Sequence, residues 1–339
     1  MDAHRHLEGG AGGADLQSIV EAVRSSPGWR SKSHIRVVGD VFGDVFGAPD
    51  WREGPGDDGA VVRSCGESYV VSGEAILPAF FERDPFGAGV AAVLTNVNDV
   101  AAMGAVPLAV VDTLVGDEAT CRTALEGMRH AAGLYDVPVV GGHLTVSPDR
   151  HALSAFALGR CPGPPLAAAS LRPGQRLGLV GCLEGTMRAD FPFFPSFDER
   201  GDRLAGDVRL LAELAAAGSC TAAKDVSMAG LLGSLAMLLE PTTSGVTVAL
   251  DDIPVPVGVD LVSWLVCFPC LVFLVCGPPD REQDTAAAAA ARGLTYAPLG
   301  TIDASGVLAL RAGDARATVV DLRVEGVTRL APLTQPEAG

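Results

Sequence analysis

Two adjacent carboxylates, Asp57 and Asp58, lie in the stretch EGPGDDGAVV, between a Gly-Pro-Gly segment and an apolar run. Neighbouring like charges repel each other unless a positive charge lies close to both. Two acids in a glycine-rich turn can supply oxygen ligands to a hard divalent cation such as Mg²⁺, which also keeps waters and substrate phosphates around it. A solvated turn explains the same two residues, because Gly-Asp-Asp alone is a weak motif.

A second polar pair, Asn96 and Asp99, falls within the predicted helix 87–105. Residues three apart share one face of a helix, and an acid in such apolar surroundings is unfavourable unless it is paired or binds a metal. The alternative is an exposed polar stripe. That stripe would hold only Thr95, Asn96, Asn98 and Asp99, with no Lys, Arg or Glu, and this favours a functional site.

Further candidates lie in predicted strands. Glu74 ends the strand in VVSGEAILP, whereas Asp112 lies within a strand, where a helix-capping or edge role explains it equally well. Gly141, Gly142 and His143 are predicted to end another strand, and the bare N–H groups of a Gly-Gly turn can approach a phosphate. His143 can donate to a phosphate or transfer a proton, although an ordinary turn histidine fits as well.

The 25 basic residues include only two lysines, Lys32 and Lys224. Lysine supplies a compact ammonium that arginine does not replace, so either residue is a candidate for a specific role, with chance survival as the alternative. Lys224, Asp225 and Ser227 come just before a predicted helix over 228–239. Ser227 or Asp225 is a natural N-cap, and the helix N-terminus with Lys224 beside it predicts an anion site.

Composition limits the classes of function. A chain of 339 residues with 48% hydrophobic residues predicts two domains with sizeable cores. The net charge of −16 argues against nucleic acid or an anionic membrane as a partner. Neither a bilayer-spanning segment nor a signal-peptide core is recognisable, so we expect a cytoplasmic protein. Of the eight cysteines only Cys267 and Cys270 form a C-x-x-C, and a zinc site would need a second such pair. All eight are therefore interpreted as buried free thiols.

Periodicity predicts an α/β fold. The first half has a helix at 15–26 that PGW ends, a glycine-rich loop, two strands around a turn at Cys65–Gly66, and then a split βαβ arrangement with helices on one face. The second half is α/β as well. The predicted segments are a loop at 39–56, strands at 106–115, 137–142 and 151–160, helices at 87–105 and 117–134, and second-half helices near 204–217, 228–239 and 280–292. The predicted domains are an arm and helix 1–34, a domain 35–160, a linker 161–175, a domain 176–331 and a tail 332–339.

The order of these motifs resembles the aminoimidazole ribonucleotide (AIR) synthetase superfamily: GDDGAVV, NVNDVAAMGAVPLAVVDTLVG, VPVVGGH, KDVSMAGLLGSLAMLLE and DDIPVP. That superfamily also contains thiamine monophosphate kinase, selenophosphate synthetase and a hydrogenase-maturation enzyme that dehydrates a carbamoyl group. The resemblance covers roughly residues 35 to 330, and EAILP and KDVSMAGLLG are most similar to the AIR synthase-related branch.

The resemblance implies an α/β (α+β) subunit of two domains, the second an α/β sandwich. It also implies a homodimer whose N-terminal sheets pair into a barrel, with ATP and Mg²⁺ bound at the dimer interface. On the same basis, Asp57, Asp58 and Asp99 fall where the family holds Mg²⁺, Glu74 falls where many members have Asp, and Asp225 lies in the second-domain motif. The candidate residues are His143, Lys224 and Asp225 for catalysis, Asn96, Gly141, Gly142 and Lys32 for ATP, and Asp57, Asp58, Glu74 and Asp99 for the metal.

Departures from the family pattern narrow the expected reaction. Met228 and Ala229 stand where the second-domain motif usually has an acid and a glycine, no G-C-x-x-K precedes the first domain, and the sequence ends TQPEAG without a cysteine. We therefore expect ATP-dependent phosphorylation of an amide or carbonyl oxygen of a small molecule. Cyclisation or dehydration follows, with release of ADP and phosphate. The alternatives are a kinase of the thiamine-monophosphate type and a non-catalytic nucleotide-binding subunit.

Overall fold

A computed structural model describes residues 13–43, 56–189 and 191–330. The chain begins there with three helices, α1 Gly13–Ser25, α2 Pro27–Lys32 and α3 Arg36–Phe42. Helix α1 ends one residue before the predicted end at residue 26. The PGW segment then opens α2, because Ser26 accepts a hydrogen bond from the backbone N–H of Trp29 and Pro27 occupies the first turn.

The predicted loop 39–56 is wrong at its beginning, since α3 continues through Phe42. Gly39 does not end this helix. A Cβ atom there would lie 2.1 Å from the carbonyl oxygen of Leu330, so the glycine permits close packing between α3 and the end of the second domain. Residues 44–55 of the predicted loop, most of the predicted N-terminal arm and the tail from residue 331 lie outside the described residues.

The first domain is a five-stranded sheet with helices against one face. Its sheet has the order β1-β2-β5-β3-β4, in which β3 and β4 are parallel and the other pairs antiparallel. This arrangement confirms the predicted fold class. The strands are β1 Ala60–Ser64, β2 Glu67–Ile76, β3 Val106–Gly116, β4 Val139–Val146 and β5 Ala152–Cys161, and the helices are α4 Pro78–Arg83, α5 Pro85–Ala102 and α6 Glu118–Tyr135.

Helix α5 forms the centre of this domain. Its Val93, Val97 and Val100 are completely buried against the sheet and α6. The predicted hairpin turn at Cys65–Gly66 is confirmed, with φ values of 51° and 80° that suit the right-handed twist of the two strands. Cys65 is exposed in that turn, so the interpretation of the cysteines as buried thiols is wrong for this residue and holds for the other seven.

The opposite face of the same sheet carries exposed apolar side chains. Phe156 on β5 is 42% exposed and lies beside Val111 of β3 in register. Leu158 on β5 lies opposite Val71 of β2, and both are also exposed. Because side chains alternate along a strand, these residues form one apolar surface on the face that α5 and α6 leave uncovered.

The second domain contains two larger sheets. One is antiparallel with the order β12-β6-β11-β8, and the other has the order β14-β13-β9. Its strands are β6 Arg176–Gly181, β7 Phe193–Phe194, β8 Ala222–Asp225, β9 Val246–Ala249, β10 Phe268–Pro269, β11 Val272–Gly277, β12 Thr295–Thr301, β13 Val307–Ala312 and β14 Ala315–Asp321. Its helices are α7 Phe197–Arg200, α8 Leu204–Asp207, α9 Leu210–Ala216, α10 Gly230–Leu239, α11 Leu261–Val266 and α12 Glu282–Ala290.

The N-terminal helix packs against this second domain. Val20 and Val23 of α1 are buried in the same core as β13 and β14. At the end of α1, the Arg24 guanidinium makes two hydrogen bonds of 2.8 and 2.9 Å to the carboxylate of Glu325. In the described part of the chain, no helix combines the length and apolarity needed to cross a bilayer.

Candidate functional site

Three carboxylates from distant parts of the chain converge between the two domains. Asp58 precedes β1, Asp99 lies in α5, and Asp225 is the last residue of β8. A carboxylate oxygen of each lies within 4.8 Å of an oxygen of the other two. Asp99 is 7% exposed, Asp225 is 3% exposed, and the Asp58 side chain is buried. Oxygen donors of this kind fit Mg²⁺, so the residues suit the metal that the resemblance implies.

Lys224 on β8 lies among these acids. Its ammonium makes an ion pair with Oδ1 of Asp58 and lies 3.9 Å from Oδ1 of Asp225. The second oxygen of Asp58, Oδ2, accepts the backbone N–H of Asp225 at 2.9 Å. Residues of the second domain therefore occupy both oxygens of Asp58, and this contact joins the two domains at the site.

Ser72 on β2 makes a hydrogen bond to the carboxylate of Asp99. Its hydroxyl lies 2.7 Å from Oδ2 of Asp99 and 3.3 Å from Oδ1 of Asn96, while the Asn96 amide donates to the carbonyl of Ala92 at 2.9 Å. Asn96 is completely buried and shares the Ser72 hydroxyl with Asp99, and its role in binding ATP stays a prediction. Sequence reasoning missed Ser72. The signal was its position two residues before Glu74, on the same face of the strand.

The electrostatics of the cluster favour a cation. Burial raises the pKa of Asp99 well above its usual value, and the charges of Asp225, Asp58 and Glu74 raise it further. Burial likewise raises the pKa of Asp225, an effect that Asp58 increases and Lys224 opposes. Burial alone would lower the pKa of Lys224, but the carboxylates of Asp58 and Asp225 outweigh it and raise that pKa. One ammonium therefore lies among three acids, and the remaining negative charge is relieved either by protonation or by a further cation.

Lys32 and Glu74 lie at the rim of the cluster. Glu74 is exposed, yet surrounding protein raises its pKa, with the charge of Lys32 acting in the opposite direction. Lys32 ends α2 and also opposes the rise in the pKa of Asp225. The charges of both lysines act to lower the pKa values of Glu74 and Asp225. A specific role for either lysine stays a prediction. Glu74 is not among the three carboxylates that lie within mutual ligand distance.

Asp57 does not join the cluster. Its Oδ1 accepts the backbone N–H of Ala168 at 2.8 Å, in the 3-10 turn Ala168–Ser170 of the segment between the domains. The two adjacent acids of the GDD motif therefore diverge, with Asp58 directed to the second domain's Lys224 and Asp57 to the connecting segment.

The predicted strand end at Gly141 and Gly142 is wrong, because β4 continues to Val146. Gly142 pairs with Asp112 of β3, and a Cβ atom at Gly142 would lie 2.6 Å from the carboxyl atoms of Asp112. The glycine therefore makes room for a side chain of the neighbouring strand and does not form a phosphate-binding turn. His143 is exposed on this edge strand. A role for Gly141, Gly142 and His143 in the site stays a prediction.

The predicted N-cap of the second-domain helix is also wrong. Lys224 and Asp225 belong to the buried strand β8, and α10 begins only at Gly230, with Ala229 in the cap position and no side-chain cap. The backbone N–H of Ser227 donates to Ser234 at 3.1 Å. Lys224 consequently lies in the carboxylate cluster and not at a helix N-terminus.

Helix α2 packs on the loop between β8 and α10. A Cβ atom at Gly28 would lie 1.7 Å from the carbonyl oxygen of Met228, so only glycine permits this approach. The ring of Trp29 lies against Gly233, where Ala229 is also a close neighbour. Met228 and Ala229, which depart from the usual motif, therefore lie in the loop that α2 covers. The same helix ends at Lys32, near the site.

Comparisons with known proteins match both halves of the chain. Residues 56–161 match the family model for the AIR synthase related protein N-terminal domain, and residues 184–313 match the model for its C-terminal domain. An uncharacterized protein of Synechocystis sp. is 33% identical over 276 residues, which cover 80% of this chain and 85% of that protein. The phosphoribosylformylglycinamidine synthase subunit PurL of Natronomonas pharaonis is 29% identical over 262 residues, 69% of this chain and 35% of that one.

Solved structures show the same two-domain fold. Thermotoga maritima PurL complexed with ADP superposes with a TM-score of 0.70 at 19% identity, over 82% of this chain and 47% of PurL, so the chain spans about half of that protein. AaThiL complexed with AMPPCP and TMP gives a TM-score of 0.61 at 16% identity, over 82% of this chain and 94% of AaThiL. HypE in the HypE–HypF complex gives 0.64 at 18% identity, over 84% and 99%. At these identities the likeness concerns the fold.

Proposed function

The chain belongs to the AIR synthase related protein family, and we propose that it is an ATP-dependent enzyme that phosphorylates an amide or carbonyl oxygen of a small molecule. The observation that carries this proposal is the convergence of Asp58, Asp99 and Asp225 with Lys224 between the two domains. The phosphorylated substrate then cyclises or dehydrates. ADP and phosphate are released.

The three carboxylates would hold Mg²⁺, with Glu74 available at the rim. Bound there, the metal would neutralise charge on the triphosphate, which is the main requirement of phosphoryl transfer. Acids that are buried beside one another, as Asp99 and Asp225 are, are unfavourable in the ionised form unless a cation compensates them. A metal site explains why the chain keeps them together.

The two lysines would bind phosphate oxygens from two different elements, strand β8 and helix α2. Lys224 on β8 lies within the cluster, and Lys32 at the end of α2 acts on Asp225 through its charge. A lysine ammonium has three donors on a flexible stem and suits an anion that changes position during a reaction. In the transfer step, the substrate oxygen forms a bond to the γ-phosphorus as the bond to ADP breaks, and the protein supplies position and charge.

We also propose that the protein forms a homodimer. The exposed apolar surface on the first-domain sheet, formed by Val71, Val111, Phe156 and Leu158, is of the kind that a partner covers. A second copy of the chain can cover it through a two-fold axis, since the surface would then meet itself. The resemblance implies the same pairing of sheets.

The proposed reaction can be tested by following oxygen. The protein is incubated with Mg²⁺, ATP and a panel of small amides whose carbonyl oxygen is labelled with ¹⁸O, and both phosphate and nucleotide products are measured by mass. We expect ADP and one ¹⁸O atom in the released phosphate, because the substrate oxygen leaves with the phosphoryl group. Asp99→Asn is the control that should abolish both products.

Other outcomes would identify the alternatives. A phosphorylated product that retains the label would show a kinase, and AMP would contradict both reactions. Nucleotide binding without any ADP formation across the panel would favour a non-catalytic nucleotide-binding subunit.

A further inference from the structure

We propose that Lys224 is a resident counter-ion that keeps free divalent cations out of the carboxylate cluster, so that the metal enters only together with the nucleotide. The proposal rests on the proposed function, since it concerns how that same site is loaded. It adds a regulatory role for one residue, namely the coupling of metal binding to nucleotide binding.

The geometry places an ammonium where a cation would bind. Lys224 is paired with Oδ1 of Asp58, lies 3.9 Å from Asp225, and is itself only 4% exposed. Because Oδ2 of Asp58 already accepts the N–H of Asp225, both oxygens of this ligand are in use. A metal that binds either oxygen of Asp58 must therefore share the carboxylate with the Lys224 ammonium or displace that ammonium.

Sharing and displacement are both unfavourable for a free cation. Two positive charges on one carboxylate repel each other, and the repulsion is strong where little water screens it. Displacement breaks a buried ion pair and removes the closest counter-charge of the Lys224 ammonium, which is destabilising. A divalent cation alone supplies no new acceptor for that ammonium.

A nucleotide removes both obstacles. Its triphosphate brings negative charge that offsets the additional cation, and its oxygens offer Lys224 a new acceptor within reach of a flexible side chain. When Lys224 turns to the phosphate, Oδ1 of Asp58 becomes free to bind the metal. Metal and nucleotide therefore bind with positive coupling, and each raises the affinity for the other by the same factor.

Mn²⁺ measured by electron paramagnetic resonance tests this coupling without any turnover. Mn²⁺ is titrated into the wild type and Lys224→Met, each with and without AMPPCP, with correction for Mn²⁺ held by free AMPPCP. We expect the wild type to bind Mn²⁺ about tenfold or more tightly with AMPPCP than without it. Lys224→Met should bind Mn²⁺ without nucleotide about tenfold or more tightly than the wild type does.

Two further variants distinguish the direct pairing of Lys224 with Asp58 from the general effect of positive charge near the site. Lys32→Met removes the other nearby ammonium; among the described residues, Lys32 makes no ion pair with the cluster, so this variant should gain much less affinity for nucleotide-free Mn²⁺ than Lys224→Met does. Lys224→Arg keeps a charge beside Asp58 and should still exclude the metal. An equal gain in Lys32→Met and Lys224→Met would overturn the proposal.

If Lys224→Met does not fold, the wild-type titration alone tests the counter-ion role of Lys224. Tight Mn²⁺ binding to the wild type without nucleotide overturns the counter-ion role and leaves the proposed function intact. Absence of Mn²⁺–AMPPCP binding in the wild type overturns the proposed function and this inference with it.

Discussion

Asp99 and Asp225 are carboxyl groups held where water cannot stabilise their charge. Both are more than nine-tenths buried, and burial is the main reason that their pKa values are raised. Ser72 donates a hydrogen bond to Asp99, and the Lys224 ammonium lies beside Asp225, but these contacts do not remove the shift. The unfolded chain has no such constraint, so the two states bind protons differently.

This difference predicts a pH dependence of stability without metal or nucleotide. Above the ordinary carboxyl pKa of about 4 and up to the raised values, the folded state holds protons that the unfolded state has lost. The free energy of unfolding therefore falls as pH rises through this window, by at most about 1.4 kcal/mol per pH unit for each carboxyl. Urea unfolding in EDTA between pH 4 and 8 measures it.

Asp99→Asn supplies the comparison, because the amide keeps the shape of the side chain and cannot ionise. We expect a shallower fall in the free energy of unfolding for this variant than for the wild type. Parallel pH profiles for the two proteins would show that Asp99 titrates normally, contrary to our account of the cluster.

Some of these residues could be predicted and others could not. Asp58 was found because two acids beside flexible glycines need a positive partner, and Asp99 because a carboxylate interrupts an apolar helix. The divergence of Asp57 from Asp58 depends on the backbone of the turn and on the N–H of Ala168, which lies more than a hundred positions away. Ser72 is not predicted, because a single hydroxyl on the same strand face as Glu74 is only a weak signal.

At the scale of elements, long periodic segments were predicted well and short ones were not. Helix α5 follows from apolar residues at helical spacing and lies within three residues of its predicted bounds. Strand β8 was missed, because Ala-Ala-Lys-Asp has no alternation and all four residues are buried. The sequence predicts that β4 ends at its two glycines, whereas Gly142 accommodates Asp112 within the sheet.

The uncovered sheet face predicts the assembly. Phe156 lies on β5, the middle strand of the first-domain sheet, with Gly73 and Val111 on either side, so a charge there would lie within the proposed interface. We expect a dimer for the wild type and a monomer for Phe156→Asp by light scattering at micromolar concentration, because a buried, unpaired charge is strongly unfavourable.

Val324→Asp is a matched control, since Val324 is 70% exposed and lies outside the sheets. It should remain a dimer. A wild type that scatters as a monomer, or a Phe156→Asp variant that still dimerises, would remove the proposed interface.

At the scale of the whole molecule, the candidate site requires both domains and the N-terminal helices. Asp58 and Lys224 are 166 positions apart in sequence, and the Arg24–Glu325 pair that fastens α1 to the second domain spans 301 positions. Local patterns cannot report such distances. The order of motifs along the chain could, through its resemblance to a family, and the two domain matches confirm that resemblance.

The central claim is that carboxylates from the two domains jointly hold a metal–nucleotide complex. Calorimetric titration of Mg²⁺–AMPPCP into the wild type, Asp99→Asn and Asp225→Asn tests it most directly, with Asp112→Asn as a control at a buried carboxyl outside the cluster. Charged interactions of this kind contribute about 1.5–3 kcal/mol, so each cluster variant should bind at least about tenfold more weakly, whereas Asp112→Asn should bind like the wild type. Wild-type affinity in either Asp99→Asn or Asp225→Asn would contradict the claim.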